Sequence, residues 1–161
     1  MSKIAPCLWF DGVSELAARH YVAVVPDSRI DRIVHAPADN PSTAEGAVLL
    51  VEFTLAGQGF VALNGGPGNP HTDAISFQIY TDDQTETDRI WAAMIADGGA
   101  EIACSWCRDR WGVRWQIVPR RMMQLLADPD PGRAARAFAA MSAMVKIDIA
   151  AIEAAAEGRE A

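Results

Sequence analysis

A pattern that occurs twice sets the tightest limit on what this chain can fold into. Alternating apolar residues run into an acidic turn and then an amphipathic helix, first over residues 4–25 and again over 74–96. In the first copy the run 4–10 meets Asp11-Gly12, a turn signal. Residues 14–25 then read as a helix, with Ser14 as N-cap and Leu16, Ala17, His20, Tyr21 and Val24 on one face. In the second copy residues 74–81 alternate with period two, and Asp82-Asp83 stand in the place of the first turn. Residues 85–96 read as a helix whose apolar face is Ile90, Trp91, Met94 and Ile95. The copies share pattern rather than identities and lie about 70 residues apart.

Each copy continues into strands. Residues 28–35 and 47–55 read as strands, 56–59 as a hairpin turn and 60–64 as the return strand. In the second copy a short strand falls at 100–104 and another at 113–118, around a turn at 109–112. The segment GGPGNPHTD at 65–73 is a linker by its Gly and Pro content. Two tandem βαβββ modules are expected, 1–66 and 74–119, forming one domain over 1–119 of the α+β class. After Pro119 the composition shifts. Asp130-Pro131 opens a helix with a capping Asp and a Pro at the first position. Residues 132–157 are alanine-rich and free of Pro, and Phe138, Met141, Val145, Ile149 and Ile152 form one stripe. The reading over 120–161 is a helical extension containing one long amphipathic helix, packed on the domain or on a partner subunit.

Composition removes several classes of function. The chain has 161 residues, half of them hydrophobic and 22% charged, which is a globular composition. No apolar run nears the roughly 20 residues that span a bilayer. The segment MSKIAPCLWFDG has one Lys and a short apolar stretch, so no signal h-region is expected. A net charge of −7 argues against a nucleic-acid face, which needs clustered Lys and Arg. Three cysteines are an odd count and point to a reducing cytoplasm rather than a disulfide scaffold.

Alternation sorts the strand residues into faces. One face is wholly apolar in each strand: Ile75, Phe77 and Ile79; Val113, Trp115 and Ile117; Val61 and Leu63; Leu49, Val51, Phe53 and Leu55. These faces are expected to lie under the helices. The opposite faces are mixed and hold Ser76, Gln78 and Tyr80; Arg114, Gln116 and Val118; Phe60 and Asn64; Glu52 and Thr54. The large apolar groups among them, Phe60, Tyr80 and Val118, favour a pocket lining over a solvated face.

The segments PCLWFDG at 6–12, VEFTLAGQGFVALNGGP at 51–67, ISFQIYTDDQTETDRIW at 75–91, DRWGVRWQIVP at 109–119 and AMSAMVKIDIAAIEAA at 140–155 carry a resemblance. Together they resemble the PhnB-like group of the glyoxalase/bleomycin-resistance/dioxygenase superfamily, the vicinal oxygen chelate fold. That group is also labelled demethylubiquinone 3-methyltransferase-like. The resemblance implies paired βαβββ modules curled around a small-molecule cavity. It also implies metal-ligand positions near Pro6, near Ala62 or Asn64, near Ser76 and at Gln116. Of these residue types only Gln116 is an acceptable ligand, so the expected pocket is metal-free.

The expected pocket is lined by Phe10, Asn64, Ser76, Gln78, Trp106, Arg114 and Gln116. Glu52 is the one candidate general base, pairing with Arg114 being the competing use of its charge. Trp106 and Trp111 stand in a loop region, where covering the pocket mouth and plain packing are both open. Cys104-Ser105-Trp106-Cys107 forms a CxxC, but the two thiols precede a turn and strand rather than opening a helix, which favours plain buried thiols. Gly65-Gly66-Pro67-Gly68 follows a strand, but its prolines block a helix in nucleotide-binding register. The resulting expectation is a cytoplasmic, homodimeric, metal-free protein or enzyme that takes a small-molecule ligand and holds no cofactor. A metal-dependent lyase, isomerase or dioxygenase, a non-catalytic sequestering module and a methyltransferase are the alternatives.

Overall fold

Two four-stranded mixed sheets, one in each half of the chain, frame the computed structural model, which describes residues 3–159. The chain divides after His71 into two compact units. Each unit carries the βαβββ order, so the α+β class and the tandem modules expected from the repeat are what the fold shows.

The first unit runs β1 (Cys7–Phe10), α1 (Ser14–Val24), β2 (Arg29–His35), β3 (Val48–Leu55) and β4 (Gln58–Asn64). Its sheet order is β1-β4-β3-β2, with β1 and β4 parallel and the remaining pairs antiparallel. The β3–β4 hairpin turns at Ala56 and Gly57, both with positive φ (44° and 86°). A two-residue hairpin needs that geometry to match the strand twist. Ser14 does not cap α1. The cap position is Val13, and the free amide of Ser14 is satisfied instead by Asn64 Oδ1 at 2.9 Å, from the end of β4. A helix start is thus closed by a residue 50 positions away.

The faces of β4 are the reverse of those expected. Phe60, Ala62 and Asn64 are buried, whereas Val61 and Leu63 are only half-buried. The register explains this. Phe60 pairs with Phe53 and Ala62 with Val51, and directly opposed residues share a face. Phe53 stacks on Phe60 with ring centroids 5.4 Å apart, and Tyr21 of α1 lies 6.2 Å from Phe53. Small residues of α1, Ala17 and Ala18, make room for these rings, and Leu16 is exposed.

The second unit begins with β5 (Phe77–Thr81) and α2 (Gln84–Ile95). It continues with β6 (Ala100–Glu101), β7 (Trp106–Arg108) and β8 (Arg114–Pro119), in the sheet order β5-β8-β7-β6. Asp83 caps α2 by accepting from Glu86 N at 2.8 Å, and Glu86 returns a bond to Asp82 N at 2.8 Å. Ile90, Trp91 and Met94 are buried against Cys107, Trp115 and Ile117 on the helix side of the sheet. Residues 74–76 precede the strand, and Ile75 is exposed rather than under the helix. Strand β7 was not expected, so Trp106 sits in a sheet and not in a loop.

Three helices close the chain: α3 (Arg120–Leu126), α4 (Pro131–Ser142) and α5 (Ile149–Ala156). The single long helix expected over 132–157 is broken at 143–148. The break is held by tertiary bonds: Ile147 O accepts from Gln84 Nε2 at 3.1 Å, and Gln84 Oε1 accepts from Ile149 N at 2.9 Å. Asp148 then caps α5 by accepting from Ala151 N. The core of this region is Val118, Met122, Leu125, Ala137, Ile147, Ile152 and Ala156. Of the expected stripe Ile152 belongs to it and Met141 packs against it, whereas Phe138 and Val145 are exposed.

Lys146 pairs with Asp88 of α2. Hydrogen bonds from Lys146 and then from Gln84 hold the Asp88 carboxyl below its ordinary range. A lowered carboxyl stabilises the fold above the ordinary value of about 3.9, and that contribution is lost as pH falls through the lowered value. Thermal unfolding of Lys146→Met is therefore expected to fall less steeply than wild type as the buffer is taken from pH 5 to pH 3. Parallel curves would contradict the pairing.

Candidate functional site

The open face of the second sheet, opposite α2, carries a continuous chain of uncharged hydrogen bonds. Parallel register places Gln78 of β5 beside Gln116 of β8, and antiparallel register places Trp106 of β7 on the other side of Gln116. Tyr80 Oη donates to Gln78 Oε1 at 2.8 Å, and Gln78 Nε2 donates to Gln116 Oε1 at 3.0 Å. Gln116 Nε2 donates to Ser76 Oγ at 2.7 Å. Each amide carries two N–H donors, and a phenol oxygen accepts as well as donates, so the row retains capacity beyond its internal bonds. Tyr80 is 44% exposed and Gln78 is exposed, so that capacity faces outward.

Charge borders the row and is matched. Arg114, two residues before Gln116 on the same strand face, pairs with Asp73 and also donates to Gly112 O. At the other end Arg120 lies 5.3 Å over the Tyr80 ring and pairs with Asp82 at 3.0 Å. Arg120 also lines a cleft of about 560 Å³, with Gln84, Arg121, Gln124, Asp148 and Glu153 among its other walls. That volume suits a small organic molecule.

The expected site residues fall into separate settings. Ser76, Gln78, Trp106, Arg114 and Gln116 share the second unit and, Ser76 aside, its open sheet face. Phe10 and Asn64 lie on the helix side of the first sheet and are 4% and 5% exposed. The amide of Asn64 is spent on Ser14 N and on Val48 O, at 2.9 and 2.8 Å. The Phe10 ring packs 5.6 Å from that of His71. Glu52 lies on the open face of the first sheet, where Arg32 grips it with two bonds of 2.9 and 2.7 Å. Its partner is therefore Arg32 and not Arg114, and a carboxylate held in this bidentate way is already committed. Tyr80, which the sequence reading places on the mixed face but not among the named lining residues, joins the row through its bond to Gln78. Its signal was the alternation itself, which puts it two residues beyond Gln78.

The cysteines are free thiols. Cys107 is buried on the helix side, and burial, helped by Asp109, pushes its pKa up to about 12. It stays protonated through the physiological range, which removes its nucleophilicity. In the native protein at pH 8 a thiol reagent is expected to leave Cys107 unmodified and to reach it only after denaturation. Modification of the native thiol, read by peptide mass spectrometry, would contradict this.

The residues at the positions where the resemblance implies a metal do not suit one. Pro6 has no donor atom, Ser76 and Gln116 are neutral and bonded to one another, and Asn64 is committed to the backbone. Among the described residues no cluster of three or more His, Cys, Asp or Glu is placed to hold an ion. The glycines after β4 also have a packing reason. A Cβ on Gly65 would stand 2.2 Å from the Trp9 ring, and Gly66 O accepts from Trp9 Nε1 at 2.7 Å. Among the described residues no helix is long and apolar enough to cross a membrane.

A family model described as 3-demethylubiquinone-9 3-methyltransferase matches residues 2–118. A putative 3-demethylubiquinone-9 3-methyltransferase, PhnB protein, from Bacillus cereus is 28% identical, with a TM-score of 0.66 over 73% of this chain and 99% of its own. A protein from Pseudomonas aeruginosa is 19% identical, with a TM-score of 0.59 over 74% of this chain and 98% of its own. A glyoxalase/bleomycin resistance protein from Albidiferax ferrireducens T118 is 16% identical, with a TM-score of 0.48 over 74% and 99% of the two chains. No curated protein matches the chain significantly.

Proposed function

The chain belongs to the 3-demethylubiquinone-9 3-methyltransferase family, and on that premise we propose that it is a PhnB-like member of the glyoxalase/bleomycin-resistance-like superfamily that binds a small polar organic molecule without a metal. The ligand lies against the open face of the second sheet. The observation that carries this reading is the chain of bonds from Tyr80 through Gln78 and Gln116 to Ser76. An outward-facing row of uncharged donors and acceptors recognises a ligand by hydrogen bonds, and Trp106 beside it offers a flat apolar wall. The pairing of Arg114 with Asp73 leaves the face without net charge at that point, which favours a neutral ligand over an ionic one.

Gln116 is the link on which the row depends, since it bonds both Gln78 and Ser76. Each hydrogen bond is worth about 0.5–1.5 kcal/mol net, so Gln116→Ala is expected to weaken binding about tenfold with the fold intact. The assay is calorimetric titration with a hit from a thermal-shift screen of neutral amides, phenols and sugars. Unchanged affinity in a folded variant would refute the assignment.

The family's printed name supports a second reading, a methyltransferase. S-adenosylmethionine titrated into the same protein separates the two: binding would favour methyl transfer, and no heat would leave the sheet face as a binding surface. The reading extends to a homodimer in the cytoplasm, the dimer being supported by the exposed apolar side chains Met123, Phe138 and Val145 of the C-terminal region. Sedimentation at twice the chain mass tests it.

A further inference from the structure

The family match ends at residue 118, and the segment between the last two helices that follow bonds to a turn of the second sheet. The turn between β6 and β7 is left-handed at two successive residues that are not glycine, Cys104 with φ of 56° and Ser105 with φ of 72°. Residues with a Cβ enter that region at a conformational cost and persist there when neighbouring structure holds them. The turn closes on itself through Trp106 N to Ala103 O at 3.2 Å, and the amides of its two central residues, which carry Cβ atoms where such a turn favours glycine, are held from outside. Cys104 N donates to Met144 O and Ser105 N donates to Val145 O, both at 2.9 Å. The Cys104 thiol adds a contact to Ser142 O at 3.7 Å. From the opposite side Gln84 fixes Ile147 O and Ile149 N, and Lys146 pairs with Asp88. The segment 142–149 is therefore clamped between the β6–β7 turn and the start of α2.

The clamped turn is next to the ligand face. Ser105 O accepts from Ile117 N at 2.9 Å, which ties the turn to β8 directly after Gln116. Trp106 follows Ser105 and pairs with Gln116 in register. Val118, on the Gln116 side of β8 by alternation, is buried in the core of the C-terminal helices.

We infer that the C-terminal extension is a positioning element for the ligand face: segment 142–149 holds the Cys104-Ser105 turn in its left-handed form and thereby sets Trp106 against Gln116. Without the clamp the turn relaxes toward ordinary backbone and Trp106 leaves its register. The extension then contributes to ligand selection in this chain through residues beyond the stretch that the family model matches. This inference rests on reading that face as the ligand surface, and its test reads Trp106 directly, so the two fail separately.

The test uses the full-length protein labelled with 5-fluorotryptophan, with Trp106→Phe assigning the Trp106 fluorine resonance. Gln84→Ala removes the half-buried bonds to Ile147 and Ile149, and Ile147→Ala loosens the same segment from the core. In each variant the amides of Cys104 and Ser105 are expected to exchange with deuterium at least tenfold faster. The Trp106 resonance is expected to shift by more than its linewidth, while that of Trp9 in the first unit stays in place. Faster exchange with an unmoved Trp106 resonance would overturn the inference and leave the extension as packing alone. Unchanged exchange in both variants would overturn it too, since the segment would not be what holds the turn.

Discussion

Replacing Asp109 with alanine is expected to destabilise the second unit by about 3–5 kcal/mol, the largest effect of any single change considered. Asp109 is 1% exposed. One carboxylate oxygen accepts from Trp111 N at 2.9 Å and Val113 N at 3.0 Å, and the other accepts from Trp115 Nε1 at 2.9 Å. Those three bonds shape the turn that launches β8 and fix the indole at the centre of the core. Alanine strips the acceptor from three donors at once, two of them deep in the unit. Asp109→Asn keeps one carbonyl oxygen, so about half the loss is expected to return. Urea unfolding followed by far-UV dichroism measures both. A loss under about 1 kcal/mol for the alanine variant would mean that water reaches these donors, against the burial described.

Asn64→Ala is expected to lower stability by about 2–4 kcal/mol, and to do so in the first unit. The change orphans Ser14 N at the head of α1 and Val48 O at the head of β3. It leaves the backbone carbonyl of Asn64 in place, where Ser42 and Thr43 hydroxyls still donate to it. Local geometry therefore survives while the helix start is uncapped. Asn64→Asp keeps the acceptor for Ser14 N and puts negative charge at a helix N-terminus, where the dipole favours it, but loses the donor to Val48 O. An intermediate loss is expected. Amide exchange localises the effect: α1 and the β3–β4 ladder are expected to open faster, with α2 unaffected. Equal acceleration in both units would show that Asn64 acts on more than the helix start.

These two residues also show what the sequence does and does not reveal. The tandem βαβββ order is legible because strand alternation and helical periodicity are local signals, and each module repeats them. Strand β7 is not legible. It is three residues long, and Cys104-Ser105-Trp106-Cys107, which runs into it, reads as a loop because the partners of its two left-handed residues, Met144 and Val145, lie 40 residues away. The break in the C-terminal helix has the same origin, since Gln84 rewards an interruption that alanine-rich sequence alone disfavours. Ser14 has the residue type of an N-cap, yet the capping atom comes from Asn64. Face assignment failed in β4 for a related reason. An apolar pair, Val61 and Leu63, looks more core-like than Phe60, Ala62 and Asn64 until the hairpin register sets Phe60 against Phe53.

At the candidate site the legible part is what alternation and parallel register fix together. Gln78, Tyr80, Arg114 and Gln116 share a face in sequence, and the structure pairs the two glutamines directly. The charge partners were not legible. Glu52 goes to Arg32 and Arg114 to Asp73, choices set by which strand edge lies within reach. Hydrophobic pattern places a side chain on a face, but it does not choose between two carboxylates for one guanidinium.

The central claim, that the hydrogen-bonded face of the second sheet takes the ligand, is tested most directly at the side-chain amides of Gln78 and Gln116. The measurement is a nitrogen-15 correlation spectrum of the labelled protein, titrated with a neutral polar compound that raises its melting temperature. The account predicts that both side-chain amide pairs shift in saturable fashion, with the same dissociation constant that calorimetry gives. A compound that binds and stabilises the protein while leaving both pairs unmoved would contradict the account and place the ligand elsewhere on the chain.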